Sequence, residues 1–206
     1  MTFIRLLKGV INILCEIYQL YKYDYITIGE KFRQQGAKIG KNCFIQIRNL
    51  ASEPYLVEIG ENVSIAAGVT LITHDGASVV FRDEYPLLRY FGKIIIEDNC
   101  FIGGGSVITA GVRIGKNSIV GPMSVVIKDV KSGSVVIGNP AIQVSTVEKY
   151  KERCLREWNR QGLNKFENLF EGMNKIEVQR LMTSKNFREK LKEHLLSINF
   201  SDKSKS

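Results

Sequence analysis

Two histidines and four cysteines are the side chains of this sequence best suited to metal binding or nucleophilic chemistry. No two cysteines have CxxC spacing, so no zinc site is predicted at Cys15, Cys43, Cys100 or Cys154. His194 lies in a charged segment, EKLKEHLLS, and we expect it at the surface. His74 stands in the tetrapeptide Thr-His-Asp-Gly, and an imidazole is the side chain best suited to accept a proton near neutral pH. The sequence therefore indicates proton transfer at His74.

The setting of His74 leaves two interpretations open. A histidine at a corner of the chain can hydrogen-bond a neighbouring carbonyl, or it can act as a general base where a rigid scaffold presents it to a pocket. Asp75 can likewise stabilise the turn before Gly76, or it can orient the imidazole and stabilise its charged form. Three other carboxylates are candidates for that second role, namely Glu58, Asp83 and Glu84.

A six-residue repeat organises the middle of the chain. Aliphatic residues recur at every sixth position in two runs, and the residue two places before each is usually small or β-branched. An earlier fragment, AKIGKNCFIQI, carries Ile39 and Ile45 at the same spacing. The aliphatic positions of the two runs are Ile59, Ile65, Leu71, Ile96, Ile102, Ile108, Ile114, Val120 and Val126.

A period of six suits neither an α-helix, whose period is about 3.6, nor an ordinary strand, whose period is 2. It suits a short strand followed by a corner, and three such units make one triangular coil of about eighteen residues. The aliphatic residue then fills the interior and stacks on its equivalent one coil away. The small residue that often follows it fits the corner, where Gly relieves backbone strain. The predicted fold is an all-β core, a parallel β-helix of hexapeptide repeats.

The repeat is interrupted once. Ile59 and Ile96 are 37 residues apart, which corresponds to one coil plus an excursion of about nineteen residues. The excursion, residues 76–93, leaves directly after the corner that carries His74. Long loops in compact domains are usually functional or disordered, and this one is too aromatic for a disordered spacer. We expect it to shape a pocket over His74, with Tyr85 in contact with the substrate.

Both flanks of the repeat have helical patterns. Residues 2–22 carry an apolar stripe at spacings of three and four, as an amphipathic helix does. Charges within it argue against a membrane span, so we expect it to pack on the protein or to make a peripheral membrane contact. Trp158, Phe166 and Phe170 are the expected core contacts of a C-terminal helical extension. The predicted domains are an N-terminal helix with a linker (1–35), the β-helix (36–145) and that extension (146–206).

The distribution of charge excludes one class of partner. The formal net charge is +8, but the central residues 49–144 hold seven Lys or Arg against nine Asp or Glu. A nucleic-acid-binding protein concentrates basic residues and aromatic residues on one surface, and the centre has no such cluster, so we expect no nucleic acid partner. The hydrophobic start has no small-residue cleavage site after it. We therefore expect no signal peptide, and a cytoplasmic protein with free thiols.

The repeat, the ITHDG corner, the excursion and the closing VIGNPA motif resemble the hexapeptide-repeat acyltransferases. Within that family the chain is similar, over residues 36–145, to the maltose, galactoside and nodulation O-acetyltransferases. The resemblance implies a left-handed parallel β-helix, a homotrimer, and acyl-CoA in the groove between adjacent subunits. It also implies metal-free transfer of an acetyl group from acetyl-CoA to a hydroxyl of a sugar or polysaccharide intermediate, with His74 as general base.

The same resemblance assigns binding residues. Alignment of the FIGG motif places on Gly104, next to Gly103, a backbone N–H that contacts acyl-CoA near the reacting carbonyl. Preorganised N–H donors that meet an oxyanion are worth roughly 3 kcal/mol each. An acceptor-binding amide in an early coil falls on Gln46.

Two positions depart from the family pattern. A second backbone N–H used for CoA falls on Pro122, which has no N–H, and a basic residue near the end of the coil falls on Ile142. Other groups must then meet the CoA phosphates if CoA is bound. The candidates for this role are Lys128, Lys149 and Lys151.

A hexapeptide-repeat β-helix is compatible with other functions. A γ-class carbonic anhydrase has the same fold but needs three metal-binding histidines, and this coil offers one. A non-catalytic β-helix scaffold and an N-acetyltransferase of an amino sugar both remain alternatives. The repeat does not distinguish an acceptor hydroxyl from an acceptor amine.

Overall fold

The computed structural model describes residues 5, 7–11, 13, 14, 18 and 22–198. Every described residue of the helix predicted over 2–22 is helical, and the rest of that prediction lies outside the described residues. Contacts divide the chain into two compact units, residues 1–144 and residues 145–206. Among the residues described, no helix is both long enough and apolar enough to cross a membrane.

Strands that are mostly two or three residues long pair in parallel from coil to coil and form three sheets. Over residues 57–71 and 94–126, successive strands along the chain belong to successive sheets, so three of them complete one turn of a parallel β-helix. The first sheet contains β1 (Lys38–Ile39), β3 (Val57–Ile59), β8 (Ile94–Ile96) and β11 (Arg113–Ile114). The second contains β2 (Phe44–Ile45), β4 (Ser64–Ile65), β9 (Phe101–Ile102), β12 (Ile119–Val120), β14 (Ser134–Gly138) and β15 (Ala141–Thr146). The third contains β5 (Thr70–Leu71), β10 (Val107–Ile108) and β13 (Val125–Val126).

The register of the first sheet gives the length of each coil. Ile95 pairs with Arg113, 18 positions further along, which is the coil length predicted from the repeat. On its other side Ile95 pairs with Glu58, 37 positions earlier, because the excursion lies between them. Glu58 pairs with Lys38, 20 positions earlier, so the first coil contains two additional residues. The sequence had not indicated this longer first coil.

Aliphatic side chains fill the interior of the coil at the positions that the repeat predicts. All nine are 4% exposed or less, and Ile39 and Ile45 of the first coil belong to the same cluster. The residues two places before the nine are buried as well, each 5% exposed or less. The second set consists of Val57, Val63, Val69, Ile94, Cys100, Ser106, Val112, Ser118 and Ser124.

Three serines of this second set donate hydrogen bonds to backbone carbonyls at the corners. Ser106 and Ser124 donate from Oγ to the carbonyl of Gly121, at 2.9 and 2.7 Å, and Ser118 donates to that of Lys131 at 3.0 Å. A buried hydroxyl without a partner would be costly, so these bonds explain why serine is tolerated inside an aliphatic core.

Glycines that follow the interior residues are required by the close approach of adjacent coils. A Cβ on Gly103 would lie 2.5 Å from the backbone nitrogen of Pro122 in the next coil, and a Cβ on Gly60 would overlap Asp98. The prediction that glycine relieves backbone strain at these positions was therefore wrong. Glycine is needed there because a side chain would collide with the next coil. The left-handed backbone lies three residues after the interior residue, and four asparagines adopt it with φ of 55–58° at Asn42, Asn62, Asn99 and Asn117.

The segment 23–35, predicted as a linker, caps the first coil instead. It contains α1 (Ile28–Gln34), whose Ile28 and Phe32 are fully buried in the cluster formed by the β-helix interior. The backbone N–H of Ile45 donates to the carbonyl of Tyr25 at 2.7 Å. This bond satisfies an amide on the outermost strand of the second sheet, where no further coil is available as a partner.

The second unit contains α2 (Val147–Arg160), a 3₁₀ helix (Leu163–Phe170), α3 (Lys175–Thr183) and α4 (Lys185–Ser197). Polar side chains cap the helices: Thr146, Asn174 and Ser184 each accept a hydrogen bond from a backbone N–H of the first turn. Such caps stabilise each helix by about 1 kcal/mol.

Aromatic side chains form the centre of the second unit. Phe166 and Phe170 pack edge-on against Phe187, which is 6% exposed, while Trp158 is half-buried. His194 is half-buried rather than on the surface, because its ring packs against Phe166 and its Nε2 bonds the Gln161 carbonyl at 2.8 Å.

Ile102→Ala should lower the free energy of unfolding by about 3 kcal/mol, because large-to-small changes in a core cost roughly 2–5 kcal/mol. Ile102 is completely buried, whereas its strand neighbour Phe101 is 44% exposed. Phe101→Ala is therefore the matched control and should cost much less, although it removes more atoms. Denaturant unfolding followed by circular dichroism measures both changes. Equal losses would contradict the inward orientation of Ile102.

Candidate active site

The excursion begins and ends at one corner of the β-helix, after the third sheet. The chain leaves β5 and forms β6 (His74–Asp75), and it returns through β7 (Tyr90–Phe91), which pairs antiparallel with β6. The backbone N–H of Gly92 then donates to the carbonyl of Thr73 at 2.9 Å. His74 therefore lies at the base of a two-stranded ribbon, directly opposite Phe91.

His74 is held by a carboxylate. Its Nδ1 lies 2.9 Å from Oε2 of Glu53, which precedes the 3₁₀ helix Pro54–Leu56 between β2 and β3. The hydroxyl of Thr73 donates to the same oxygen. Because an ionised carboxylate only accepts, the proton of a neutral imidazole resides on Nδ1, and the lone pair of Nε2 is available. The side chain of His74 is 34% exposed, so Nε2 is positioned to act as a base toward a bound molecule.

Electrostatics keep Glu53 charged. Hydrogen bonds from Thr73 and His74, with a smaller contribution from the charge of Arg89, lower the pKa of the Glu53 carboxyl below its usual value of 4.5. The carboxylate is therefore negative at neutral pH. It fixes the tautomer of His74, and a negative charge in this position would stabilise a protonated imidazole.

Sequence reasoning missed Glu53. The expected partner, Asp75, accepts a hydrogen bond from the backbone N–H of Ala77 at 2.7 Å, so its carboxylate stabilises the turn, as the simpler interpretation held. Of the three rival carboxylates, Glu58 is bonded by Lys38 and Lys93, which lower its pKa. The spacing gave no signal for Glu53, because one eighteen-residue coil before His74 is position 56, and Glu58 lies nearer to that position than Glu53.

The predicted CoA-binding glycines lie at a different corner, between the second and third sheets. The N–H of Gly103 donates to the carbonyl of Val120 at 2.8 Å, so it is occupied within the coil. The hydrogen bonds of the described residues leave the N–H of Gly104 without an acceptor. Of the two glycines, Gly104 can therefore donate to a ligand, and Pro122 occupies the equivalent corner position one coil further on.

The remaining predicted residues are dispersed. Gln46 is half-buried at the corner below Gly103, and its backbone N–H donates to the carbonyl of Ile65 at 2.8 Å. Lys128 is exposed at the same corner as His74, two coils further on by the register of the third sheet. Tyr85 is 59% exposed within the excursion. None of these three has a side-chain hydrogen bond or ring contact to His74 in the part of the chain that is described.

No group of three or more His, Cys, Asp or Glu side chains is arranged to hold a metal ion among the described residues. Cys43 and Cys100 are buried free thiols, and burial raises the pKa of the Cys100 thiol to about 11. A thiol with so high a pKa is a poor nucleophile at neutral pH. Cys154 is exposed, and Cys15 lies outside the described residues.

Comparison with known proteins gives consistent relatives. The family described as "Bacterial transferase hexapeptide (six repeats)" matches residues 93–128. Protein CapG of Staphylococcus aureus is 39% identical over 129 residues, which cover 61% of this chain and 75% of that protein. Galactoside O-acetyltransferase of Escherichia coli is 37% identical over 135 residues, 59% of this chain and 64% of that protein.

A solved structure is also similar. The crystal structure of a hexapeptide-repeat-containing acetyltransferase from Vibrio cholerae, complexed with acetyl coenzyme A, is 32% identical with a TM-score of 0.49. The similarity covers 54% of this chain and 60% of that one.

Glu53→Gln should lower the free energy of unfolding by about 1 kcal/mol at pH 7, the usual contribution of such hydrogen bonds. The folded pKa of Glu53 lies below its unfolded value of 4.5, so the charged carboxylate stabilises the fold above that pH. This contribution disappears as the pH falls through the folded pKa, and wild type and variant should become equally stable. Denaturant unfolding at pH 7 and pH 3 measures the difference, with Glu84→Gln in the exposed excursion as control. A difference that persists undiminished at pH 3 would contradict the charge argument.

Proposed function

This chain belongs to the bacterial hexapeptide-repeat transferase family, and we propose that it is an acetyl-CoA-dependent O-acetyltransferase with a sugar or polysaccharide acceptor. One observation carries the proposal: the ionised carboxylate of Glu53 holds Nδ1 of His74, which leaves Nε2 as a base beside the excursion. The E. coli relative is a galactoside O-acetyltransferase, which supports a sugar hydroxyl as acceptor. We assign the coil the left-handed sense of the family.

The proposed reaction is direct transfer. Nε2 of His74 takes the proton of the acceptor hydroxyl while the oxygen attacks the thioester carbonyl of acetyl-CoA. A new C–O bond forms, the C–S bond breaks, and the imidazolium returns its proton to the departing thiolate. Glu53 stays ionised throughout and stabilises the transient imidazolium, as a buried carboxylate does in other proton-relay sites. Atoms and charge balance without a metal or a covalent enzyme intermediate.

The acyl donor is assigned to the corner of Gly104. Its free N–H can donate to the thioester near the reacting carbonyl, whereas Gly103 contributes by letting the coils approach closely. Pro122 removes the corresponding donor one coil further on, so we assign the CoA phosphates to basic side chains, Lys128 foremost among them.

We assign a homotrimer to this protein, and the positions of these groups support a site shared between subunits. The corners of His74 and Gly104 are separated by one strand of the third sheet, roughly 16 Å for five residues at 3.3 Å each. An acetyl group does not bridge that distance, so one chain cannot present both groups to the same carbonyl. A cyclic assembly that places the His74 corner of one subunit against the Gly104 corner of the next completes the site.

The acceptor is assigned to the space beside the excursion, with Tyr85 as one wall and Gln46 contributed from the neighbouring corner. We place the protein in the cytoplasm, where acetyl-CoA is available. The helical residues between 5 and 22 are exposed and apolar at Leu7, Val10, Ile11, Ile13 and Leu14, which supports a peripheral membrane contact there.

His74→Asn should lower acetyl transfer by roughly 10²–10⁴-fold, the usual contribution of a positioned proton acceptor. Release of the CoA thiol, with a galactoside as acceptor, measures the rate. Asp75→Asn is the matched control, because Asn keeps the turn bond to Ala77 and should leave the rate within a few-fold. Near-wild-type transfer by a folded His74→Asn would remove the catalytic assignment.

The same assay distinguishes the alternatives. Acetylation of glucosamine on nitrogen, with none of glucose on oxygen, would identify an N-acetyltransferase of an amino sugar. If no sugar increases the rate of thioester cleavage, a non-catalytic scaffold describes the protein better.

Mixing two inactive variants should restore activity if the site lies between subunits. Gly104→Pro removes the proposed donor, and the corner should tolerate it because Pro122 occupies the equivalent position. In trimers reassembled from equal amounts of His74→Asn and Gly104→Pro, a quarter of the sites are intact, so about a quarter of wild-type activity should return. If the mixed trimers have no activity, His74 and the N–H of Gly104 must serve the same site from one chain.

A further inference from the structure

The excursion carries a cation beside the ribbon that holds His74. His74 pairs with Phe91 and Asp75 pairs with Tyr90. Arg89 directly precedes this second strand, two residues before Phe91. From this position a long side chain can reach toward His74.

Arg89 is exposed, and it takes part in no ion pair or side-chain hydrogen bond in the part of the chain that the structure describes. The nearby Lys93, by contrast, pairs with Glu58 at 2.9 Å. The charge of Arg89 nevertheless acts on Glu53, whose carboxylate already accepts from Thr73 and His74. Arg89 is therefore a cation near the base with its donors unused.

We infer that Arg89 binds an oxyanion of the acceptor, so that the substrate is an acidic sugar with a carboxylate or phosphate near the reacting hydroxyl. The inference rests on the proposed function and names the substrate class for it. A guanidinium presents planar donors that match either oxyanion in two parallel bonds. The ring of Phe91, 47% exposed and 5.9 Å from that of His74, offers an apolar surface to the sugar between the two groups.

Three hexoses that differ at one carbon test this inference. Galactose, galacturonic acid and galactose 6-phosphate carry a hydroxymethyl, a carboxylate and a phosphate at the same position. Calorimetric affinity for the full-length protein should be about tenfold higher for at least one acidic sugar than for galactose, since a charge-assisted pair is worth that much. The comparison between the two acidic sugars identifies the preferred oxyanion.

Arg89→Met should abolish this preference, and Arg82→Met, which removes an equal charge elsewhere in the excursion, should keep it. Equal affinity of the wild type for all three sugars, or a preference that survives Arg89→Met, would overturn the inference. A uniform loss for all three in Arg89→Met would also overturn it and would show that Arg89 acts on the Glu53–His74 pair. His74→Asn should keep the preference for the acidic sugar but lose acetyl transfer. If the wild type itself binds the acidic sugar selectively but acetylates none of the three, that result counts against the proposed reaction and not against this inference.

Discussion

Every strand of the β-helix must find its hydrogen-bond partners in the coils before and after it. Most of the strands have only two or three residues, so each coil offers few such bonds and the register must hold at every corner. This requirement explains the glycines where coils approach most closely and the serines that satisfy corner carbonyls from inside. It also explains why the excursion ends where it began. The N–H of Gly92 bonds the carbonyl of Thr73, and from there the next coil keeps the same register.

Much of this arrangement could be predicted from the sequence, because the six-residue period reports directly on which side chains point inward. The interior positions, the interruption and the corner at His74 all followed from that period. Glu53 did not follow, because the first coil is longer than eighteen residues and a strict repeat gives no position for the residues it adds. The capping role of residues 23–35 was missed for a related reason: Ile28 and Phe32 bury against the end of the repeat without belonging to it.

The candidate site depends on two segments that differ in kind. Glu53 belongs to the first coil, in the segment between β2 and β3, whereas His74 and Phe91 belong to a ribbon that projects from the coil. Thr73 connects the two segments, because its hydroxyl donates a hydrogen bond to Glu53 and its carbonyl accepts one from the N–H of Gly92. The imidazole is therefore oriented by the coil, although it lies at the base of a long surface loop. Such loops are usually more mobile than the elements that they connect.

The bond between Thr73 and Gly92 closes the excursion at its base. The entropy of closing a loop grows only with the logarithm of its length, and here both ends are already fixed by the coil. Segments of very different length and composition can therefore be exchanged between these two residues at little cost to the fold. The scaffold that holds His74 is in this way separable from the excursion, and the surface beside His74 can change by replacement of the loop alone.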